Sequence, residues 1–317
     1  VSFNAVLICT VAMLGSFGPV SALSALSNNL TQTLASGNRV LNLLEEEPVV
    51  EDVTDGAAAA DGVIAAEHLD FTYSETDGST RHVFSDFSAE FKPDRIYGIL
   101  GKSGCGKSTL LNLAAGLLTP SSGRILLDGK EVNGPGVERT VMFQEHALYP
   151  WLTVRENVEF GMKLAGVSKE KRQEKSDYYL KMVHLQGYED YRVHEISGGM
   201  RQRVALARAL VVDSEILLMD EPFSALDKQT SNCLREELQR IWMETKKTIL
   251  FITHSAEEAV YLADRVVVLA PECGMVSEIL PISLERPRHV YDPAFVELRH
   301  SILDAVQGAT NRENKEM

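Results

Sequence analysis

The sequence predicts an α/β domain built around a mainly parallel β-sheet. From Val63 onward, short apolar segments typical of strands alternate with segments typical of helices, which is the pattern of a sheet covered by helices. One strand-like segment, RIYGIL, runs directly into a glycine-rich loop, and another, EILLMD, ends in an acidic side chain. Both features place polar groups at the carboxyl ends of strands, where ligands bind in open α/β sheets.

Residues 1–62 do not follow this pattern and are predicted to form a membrane helix and a linker. Residues 1–44 begin with an uncharged stretch, of which Val1–Val20 is just long enough to cross a bilayer as a helix. A signal peptide and a buried helix of a soluble domain are the alternatives. Residues 45–62 combine like charges with glycine and alanine, so they cannot build a core and are predicted to be a linker.

The domain predicted for residues 63–300 begins with strands and contains one helical insertion. The segments IAAEHLDFTY and HVFSDFSAEF alternate apolar and polar residues, as half-buried strands do. Residues 145–200 interrupt the rhythm of strands and helices with mostly helical sequence. The apolar segments TILFITH and RVVVLA then predict two further buried strands. Residues 301–317 are predicted to be a polar C-terminal tail.

The glycine-rich loop GKSGCGKST matches the pattern GxxxxGK[ST] in full, between a strand and a helix. Its glycines let backbone amides converge on phosphate oxygens, and the helix N-terminus adds positive potential. We expect Lys107 to neutralise the β- and γ-phosphates of ATP, and Ser108 to ligate Mg²⁺. A glycine turn without a ligand is the alternative, which the strand, lysine and helix together disfavour. The predicted ATP ligands in the loop are Gly101, Lys102, Ser103, Gly104, Cys105, Gly106, Lys107, Ser108 and Thr109.

Cys105 lies in this loop close to the helix N-terminus, a position expected to lower the pKa of its thiol. Alkylation of Cys105 is therefore predicted to inhibit the protein, and ATP is predicted to protect against it.

Polar residues at the ends of other strands complete the predicted site. Asp220 ends EILLMD and suits the Mg²⁺ shell, whereas Glu221, one residue further on, is expected to face the γ-phosphate and polarise an attacking water. His254 closes TILFITH and is expected to bridge the γ-phosphate to Glu221. Gln144 follows VMF, and its amide can ligate Mg²⁺ and order water. Glu221, His254 and Gln144 are the predicted catalytic residues, and Ser108, Gln144 and Asp220 are the predicted magnesium ligands.

The motifs together resemble the ATP-binding cassette of ABC transporters. GKSGCGKS, Gln144, ISGGMRQR, ILLMDE, SALD and His254 occur in the order that this family has. The resemblance implies a P-loop NTPase cassette with a mainly parallel sheet, an antiparallel β subdomain and a helical subdomain. It also implies that Tyr73 stacks on adenine, with Phe71 as the alternative and core packing as the structural explanation.

The segment ISGGMRQR resembles the family's signature and implies a second cassette. The helix begun by Ser197, Gly198 and Gly199 is expected to offer its N-terminal dipole to the γ-phosphate of an ATP held by a partner cassette. A twofold axis then generates two composite sites. The structural alternative makes Ser197 an N-cap and assigns the glycines to tight packing. Met200 stands where the family more often has glutamine.

The resemblance leaves two kinds of transporter open. Segments such as PGVERTVMFQEHALYPWLTVRENVEFG and LERPRHV resemble ATPases of importers for nitrate, sulfonates and taurine. Residues 1–50 instead resemble the end of an exporter membrane domain, so an exporter-type fused permease and ATPase is the alternative. The expected partners are a second cassette, identical or different, a membrane-spanning permease and a solute-binding protein. The resemblance implies that the permease docks near Tyr149, Pro150 and Trp151, with ordinary core packing of these aromatics as the alternative. The expected location is the cell membrane, with the cassette on the cytoplasmic face.

Composition limits the other functions. The 317 residues carry a formal net charge of −14, whereas broad nucleic-acid binding needs clustered lysine and arginine, so no nucleic-acid partner is expected. An ABC ATPase acting on nucleic acid or the ribosome is thus disfavoured. A subunit that binds ATP without hydrolysing it is disfavoured by the presence of Glu221 and His254. Four cysteines without CxxC spacing predict neither a disulfide framework nor a zinc site.

Overall fold

The computed structural model describes residues 6–8, 10, 13, 62–74, 79–271 and 274–316, with side chains described as far as residue 309. The chain divides into two units, Val1–Glu51 and Asp52–Met317. Within the described ranges, no helix combines the length and apolar character that crossing a membrane requires. The membrane helix predicted for residues 1–44 and the linker predicted for residues 45–62 lie almost entirely outside the described residues.

Two sheets are built from the strands of the second unit. The strands, in chain order, are β1 (Ile64–Ser74), β2 (Thr80–Phe91), β3 (Ile96–Leu100), β4 (Ser122–Leu127), β5 (Lys130–Glu131), β6 (Arg139–Met142), β7 (Ile216–Asp220), β8 (Thr248–Ile252), β9 (Arg265–Leu269) and β10 (Val276–Pro281). A four-stranded antiparallel sheet has the order β2-β1-β4-β5, and a six-stranded sheet has the order β10-β9-β3-β8-β7-β6. In the larger sheet only β10 runs antiparallel, so the predicted α/β fold with a mainly parallel sheet is confirmed.

Both faces of the larger sheet are buried. Every residue of β3, β7 and β8 is buried. Successive side chains enter opposite cores, with Leu217 and Met219 in one and Ile216 and Leu218 in the other, as the two-residue period of a strand requires. These strands therefore appear in the sequence as continuous apolar runs rather than as alternating patterns.

Helices cover the sheet and form the insertion. In the described part of the chain they are α1 (Lys107–Ala115), α2 (Val154–Leu164), α3 (Lys169–Met182), α4 (Gly198–Val211), α5 (Lys228–Thr245), α6 (Ala256–Leu262) and α7 (Pro293–Glu316). A capping box of Thr153 and Glu156 begins α2, which packs against α3 and α4. The polar sequence after residue 300 continues α7, and Ile302 is fully buried there, so this segment contributes to the core.

The strand order brings the sequence motifs to one edge of the sheet. β6, β7, β8 and β3 are parallel neighbours, and their carboxyl ends point the same way. The glycine loop follows β3, and Glu221 follows β7 directly. Gln144 and His254 come two residues after the ends of β6 and β8. Four segments that are distant in the chain are thus adjacent in the fold.

Candidate nucleotide site

A cleft of about 270 Å³ opens at this edge. Both sheets, the glycine loop and the first turn of α1 contribute to its walls. It is lined by Tyr73, Arg81, Val83, Ser103, Gly104, Gly106, Lys107, Ser108, Thr109, Gln144, Glu221 and His254. Six of the nine predicted loop residues, the three predicted catalytic residues and Tyr73 therefore line one cleft, whereas Gly101, Lys102, Cys105 and Asp220 are not part of its lining.

Two residues of this lining, Arg81 and Val83, are absent from the sequence prediction. Both lie on β2, and Arg81 pairs with Tyr73 across the antiparallel ladder. The guanidinium of Arg81 donates to the Gly104 carbonyl at 3.2 Å, which holds it beside the glycine loop. The alternating pattern of β2 is the feature of the sequence that could have indicated these two residues. The pairing of β1 with β2 contains register shifts that a periodic pattern does not reveal, so the pattern alone does not place them at the cleft.

The glycine loop ends in a backbone conformation that needs glycine. Gly106 is the N-cap of α1 and has a φ of 96° in the left-handed region. A Cβ at this position would lie 2.8 Å from Val83 and 2.9 Å from Phe84. The backbone therefore passes directly over β2, and α1 begins with its first residues in the cleft wall, an arrangement suited to anions.

Lys107 is fixed in the loop by backbone oxygens. Its side-chain nitrogen donates to the carbonyls of Gly101 and Lys102, at 2.9 Å in both cases. The residue is only 7% exposed, yet it lines the cleft. A buried ammonium and a helix N-terminus therefore place positive charge at the cleft, although the chain as a whole is acidic.

Cys105 faces the core rather than the cleft. It is 2% exposed, and burial raises the pKa of its thiol, an effect that nearby Lys107 opposes. Its sulfur packs so closely on Gly101 that a Cβ there would lie 2.6 Å away. The predicted lowering of the thiol pKa is therefore wrong, because desolvation outweighs the positive end of α1.

The three predicted catalytic side chains meet at Glu221. This residue adopts the left-handed conformation, with a φ of 49°, directly after β7. One of its carboxylate oxygens contacts Nε2 of His254, and the other accepts from Nε2 of Gln144 at 3.4 Å. Glu221 is largely buried and His254 is half-exposed, so the carboxylate sits at the back of the cleft behind the histidine.

Asp220 and Ser108 lie next to each other beside this group. Burial raises the pKa of Asp220, and the Ser108 hydrogen bond and Lys107 oppose that rise. A desolvated carboxylate next to a hydroxyl is an oxygen donor set that a hard cation stabilises, so Ser108, Asp220 and the Gln144 amide fit Mg²⁺. The described residues contain no group of three or more His, Cys, Asp or Glu side chains suited to a metal. A magnesium site here would depend on hydroxyl and amide oxygens, with phosphate supplying the rest.

Tyr73, rather than Phe71, is available at the cleft. Phe71 is 6% exposed and belongs to the core, whereas Tyr73 is 38% exposed. Their rings meet edge to face with centroids 4.8 Å apart, and the Tyr73 hydroxyl lies 3.4 Å from that of Thr109. The core therefore holds the ring of Tyr73 at the entrance of the cleft, where one face can receive a planar base.

Ser197, Gly198 and Gly199 do not line this cleft. Ser197 caps α4 by accepting from the Met200 amide at 3.3 Å. This is the N-cap role that the structural alternative assigned to Ser197. Neither glycine is among the described residues with positive φ. A Cβ on Gly198 would have its nearest neighbour at 3.8 Å, and one on Gly199 at 3.4 Å, which are ordinary contacts. The fold of this chain therefore does not require either glycine.

Comparisons with known proteins agree with this geometry. Residues 84–224 match the family model described as ABC transporter. The uncharacterized ABC transporter ATP-binding protein MJ0412 of Methanocaldococcus jannaschii is 49% identical over 233 residues, which cover 74% of this chain and 87% of that protein. The taurine import ATP-binding protein TauB of Pseudomonas syringae pv. tomato is 46% identical over 237 residues, covering 72% of this chain and 91% of that protein.

A solved structure shares the fold. The dimeric structure of a post-hydrolysis state of the ATP-binding cassette MJ0796, bound to ADP and Pi, matches with a TM-score of 0.63 at 28% identity. The match covers 70% of this chain and 100% of that cassette.

The chain belongs to the ABC transporter family, as one of its ATP-binding proteins. It is the ATP-hydrolysing subunit of a transporter, which confirms the predicted function and enzyme class. The similarities give no support to an exporter membrane domain in residues 1–50, most of which lie outside the described residues.

Proposed function

We propose that this protein is the ATPase of an importer for a taurine-like solute and that it works as a dimer of cassettes. The contact of Glu221 with both His254 and Gln144, at the back of a cleft that contains Lys107, carries the hydrolytic part of the proposal. The 46% identity to a taurine import ATP-binding protein over 91% of its length supports the solute class.

Each side chain of the cleft has a distinct role in this proposal. Lys107 and the loop amides neutralise the phosphates, and Tyr73 stacks on the adenine. Glu221 polarises the attacking water, while His254 keeps the γ-phosphate aligned with that carboxylate. Arg81, held beside Gly104, adds positive charge at the nucleotide.

Magnesium is assigned to the oxygens of Ser108, Gln144 and Asp220. When bound, the ion would neutralise charge on the phosphate oxygens. Ser108 and Asp220 interact directly, and Gln144, whose Nε2 donates to neighbouring Glu221, would supply the third oxygen.

A second cassette completes each site in this proposal. Ser197 is exposed at the N-terminus of α4, and the two glycines that follow leave the backbone amides uncovered. A helix terminus of this kind attracts phosphate, and glycines that the fold does not require are explained by close approach of a ligand from outside. The ligand is the γ-phosphate of the ATP bound to the partner cassette.

The aromatic loop at the start of the insertion is proposed to contact the permease. Trp151 is 66% exposed, which core packing does not explain, and its ring lies 5.5 Å from that of Tyr149. Buried Asn157 holds the backbone of this loop, because it accepts from the Tyr149 amide at 2.8 Å and donates to the Tyr149 carbonyl at 3.2 Å. A fixed, exposed tryptophan suits a protein interface, and docking there keeps the cassette at the cytoplasmic face of the membrane.

Transport by the reconstituted complex tests this function. The chain would be purified with its permease from membranes, placed in proteoliposomes and supplied with ATP and a solute-binding protein. Uptake of taurine that requires ATP supports the proposal. Movement in the outward direction, or uptake that ignores taurine and sulfonates, would contradict it.

The exporter-type alternative for residues 1–44 is tested by membrane fractionation without the permease. If these residues form a membrane helix, the full chain sediments with membranes and a chain starting at residue 45 does not. Equal behaviour of the two chains would remove the membrane helix from the proposal.

A further inference from the structure

Gln202 is a buried polar side chain for which the proposed chemistry has no role. It lies in α4, five residues after Ser197, and is 2% exposed. Both ends of its amide are bonded to backbone: Nε2 donates to the Glu221 carbonyl at 2.9 Å, and Oε1 accepts from the Ala225 amide at 2.9 Å. The side chain therefore connects α4 to the turn that carries the proposed catalytic carboxylate.

This turn has a conformation that needs support. Glu221 is a non-glycine residue with a φ of 49°, and left-handed backbone costs such residues about 1 kcal/mol or more. Its amide donates to the Ile252 carbonyl at 3.1 Å, and its carbonyl also accepts from the Ser224 hydroxyl at 3.0 Å. Ser224 belongs to the same turn and Ile252 to β8, so Gln202 is the partner that α4 contributes.

We infer that Gln202 is a positioning residue for hydrolysis: it holds the backbone of Glu221 in the conformation that directs the carboxylate to His254 and Gln144. The inference rests on the proposed role of Glu221. Gln202 is not part of the cleft lining, and its side-chain hydrogen bonds go to the backbone of Glu221 and Ala225, so it acts by alignment and not by binding nucleotide. Alignment of a reacting group affects turnover much more than ground-state binding.

A second buried glutamine provides the matched control. Gln239 lies in α5, is also 2% exposed, and donates through Nε2 to the Tyr261 carbonyl at 3.1 Å. Each substitution removes one buried donor from a backbone carbonyl that keeps another, from Ser224 at Glu221 and from Arg288 at Tyr261. Gln202→Ala and Gln239→Ala are therefore both expected to lower the melting temperature. Gln239 has no bond to Glu221, and its loss reports the purely structural cost.

ATP hydrolysis by the full chain separates the two effects. We expect Gln202→Ala to lower kcat by about tenfold or more while KM and directly measured ATP binding change by less than about threefold. Gln239→Ala is expected to keep kcat within about twofold of the wild type. Equal kcat values for the two variants, or a loss in Gln202→Ala that appears in KM alone, would overturn the inference.

Gln202→Glu isolates the donated hydrogen bond and uses a pH profile. In this variant, the introduced carboxylate can still accept from the Ala225 amide, but its other oxygen faces the Glu221 carbonyl and cannot donate to it. The protonated carboxylic acid can donate to that carbonyl again. Because burial raises the pKa of a carboxyl group, the donor returns as the pH falls. We expect the ratio of kcat for Gln202→Glu to kcat for Gln202→Ala to rise between pH 8 and pH 6, and a constant ratio contradicts the role of the donor. This comparison also carries the test if Gln202→Ala does not fold, with the wild type as reference.

The failure of the inference can be told apart from failure of the proposed function. If Glu221→Gln hydrolyses ATP at the wild-type rate, the catalytic assignment itself is wrong. If Glu221→Gln is inactive while Gln202→Ala behaves like Gln239→Ala, only the positioning role is wrong.

Discussion

Single side chains separate binding of the nucleotide from its hydrolysis. Replacing Glu221 by glutamine removes the negative charge but keeps the shape and a partner for His254. We expect phosphate release to fall by about 10²- to 10⁴-fold, since this is the usual contribution of a general base. ATP binding, measured by equilibrium dialysis, should stay within severalfold of the wild type, and the ATP-bound variant should accumulate as a dimer by light scattering.

Lys107→Ala is the complementary control for this prediction. It removes the cation fixed by Gly101 and Lys102, so binding itself should weaken by about 10- to 100-fold. Wild-type turnover in Glu221→Gln, or unchanged binding in Lys107→Ala, would contradict the assigned roles.

The charge on Asp220 opposes folding until a cation is bound. Burial raises the pKa of this carboxyl group. In the nucleotide-free protein, the protonated form of Asp220 is therefore favoured by folding. The stabilisation from this proton is complete below the ordinary pKa of 3.8 and is lost as the pH rises through the raised folded-state pKa. Asp220→Asn should therefore raise the melting temperature at pH 7 without ligand, and it should abolish the additional stabilisation by ATP with Mg²⁺. A lower melting temperature without ligand would refute this account of the charge.

The two described cysteines should differ in reactivity. Cys105 is buried with a raised thiol pKa, whereas Cys233 is exposed on α5. Iodoacetamide at pH 7.5 should modify Cys233 first, and Cys105 should react only in denaturant or at strongly alkaline pH. Peptide mass spectrometry measures both rates in the same sample. Rapid modification of Cys105 in the native protein, slowed by ATP, would favour the sequence-based expectation over the structure.

At the scale of secondary-structure elements, α4 connects the proposed catalytic turn with the segment that leads to the proposed permease contact. Ser197 lies at its N-terminus, Gln202 reaches Glu221 from its second turn, and Arg208 donates to the carbonyls of His146 and Ala147 at 2.9 Å and 2.7 Å. Those carbonyls belong to the segment that leads from Gln144 to the aromatic loop. α4 is therefore hydrogen-bonded both to the turn that carries Glu221 and to the segment that leads to the proposed permease contact.

The first turn of α4 should show activity and stability changing in opposite directions. A Cβ at Gly198 would make only an ordinary contact, 3.8 Å from the Arg201 side chain, and alanine favours helices over glycine by up to about 1 kcal/mol. Gly198→Ala is expected to keep or raise the melting temperature and to lower ATP hydrolysis, because the methyl group covers amides proposed to face the partner's ATP. Thermal denaturation and phosphate release measure the two properties.

Gly161 in α2 is the control for this substitution. A Cβ there would lie 2.9 Å from Val212, so Gly161→Ala is expected to lower the melting temperature. If Gly198→Ala also destabilises the protein, the glycine serves the chain's own fold after all.

The elements that could be predicted are those whose pattern is local. β3, β7 and β8 are short apolar runs with a motif at the carboxyl end, and their burial on both faces makes them easy to recognise. The positions of Lys107 and Glu221 follow from these runs. Long-range side-chain packing could not be read in the same way: the orientation of Cys105 depends on Gly101 and the surrounding core.

Contacts between distant elements account for the remaining differences. Arg81 enters the cleft through the irregular pairing of β1 with β2, and Gln202 acquires its role only when α4 packs on the end of β7. The polar face of α7 resembled a tail in the sequence, while Ile302 on the other face is buried. A residue pattern does not state which partner covers it, so these features needed the structure.

At the scale of the whole molecule, the cassette must couple to a permease through an exposed surface. Trp151→Ala removes one side chain from the aromatic loop without touching the core, since the residue is 66% exposed. Basal ATP hydrolysis and the melting temperature should remain near wild type, whereas co-purification with the permease should fall by about tenfold or more, as for an interface anchor.

Tyr291→Ala is the matched surface control, because Tyr291 is 91% exposed and lies outside the aromatic loop. It should leave the complex intact. Equal effects of both substitutions, or retention of the permease by Trp151→Ala, would count against docking at this loop.

The two glycines at the start of α4 have a consequence for laboratory evolution. A chain selected only for heat resistance or expression gains from a methyl group at Gly198, because its own packing offers no resistance. Such selections should enrich variants that fold well but no longer hydrolyse ATP. Screens on this protein therefore need to select for activity of the assembled transporter, in which the absence of a side chain at Gly198 is important.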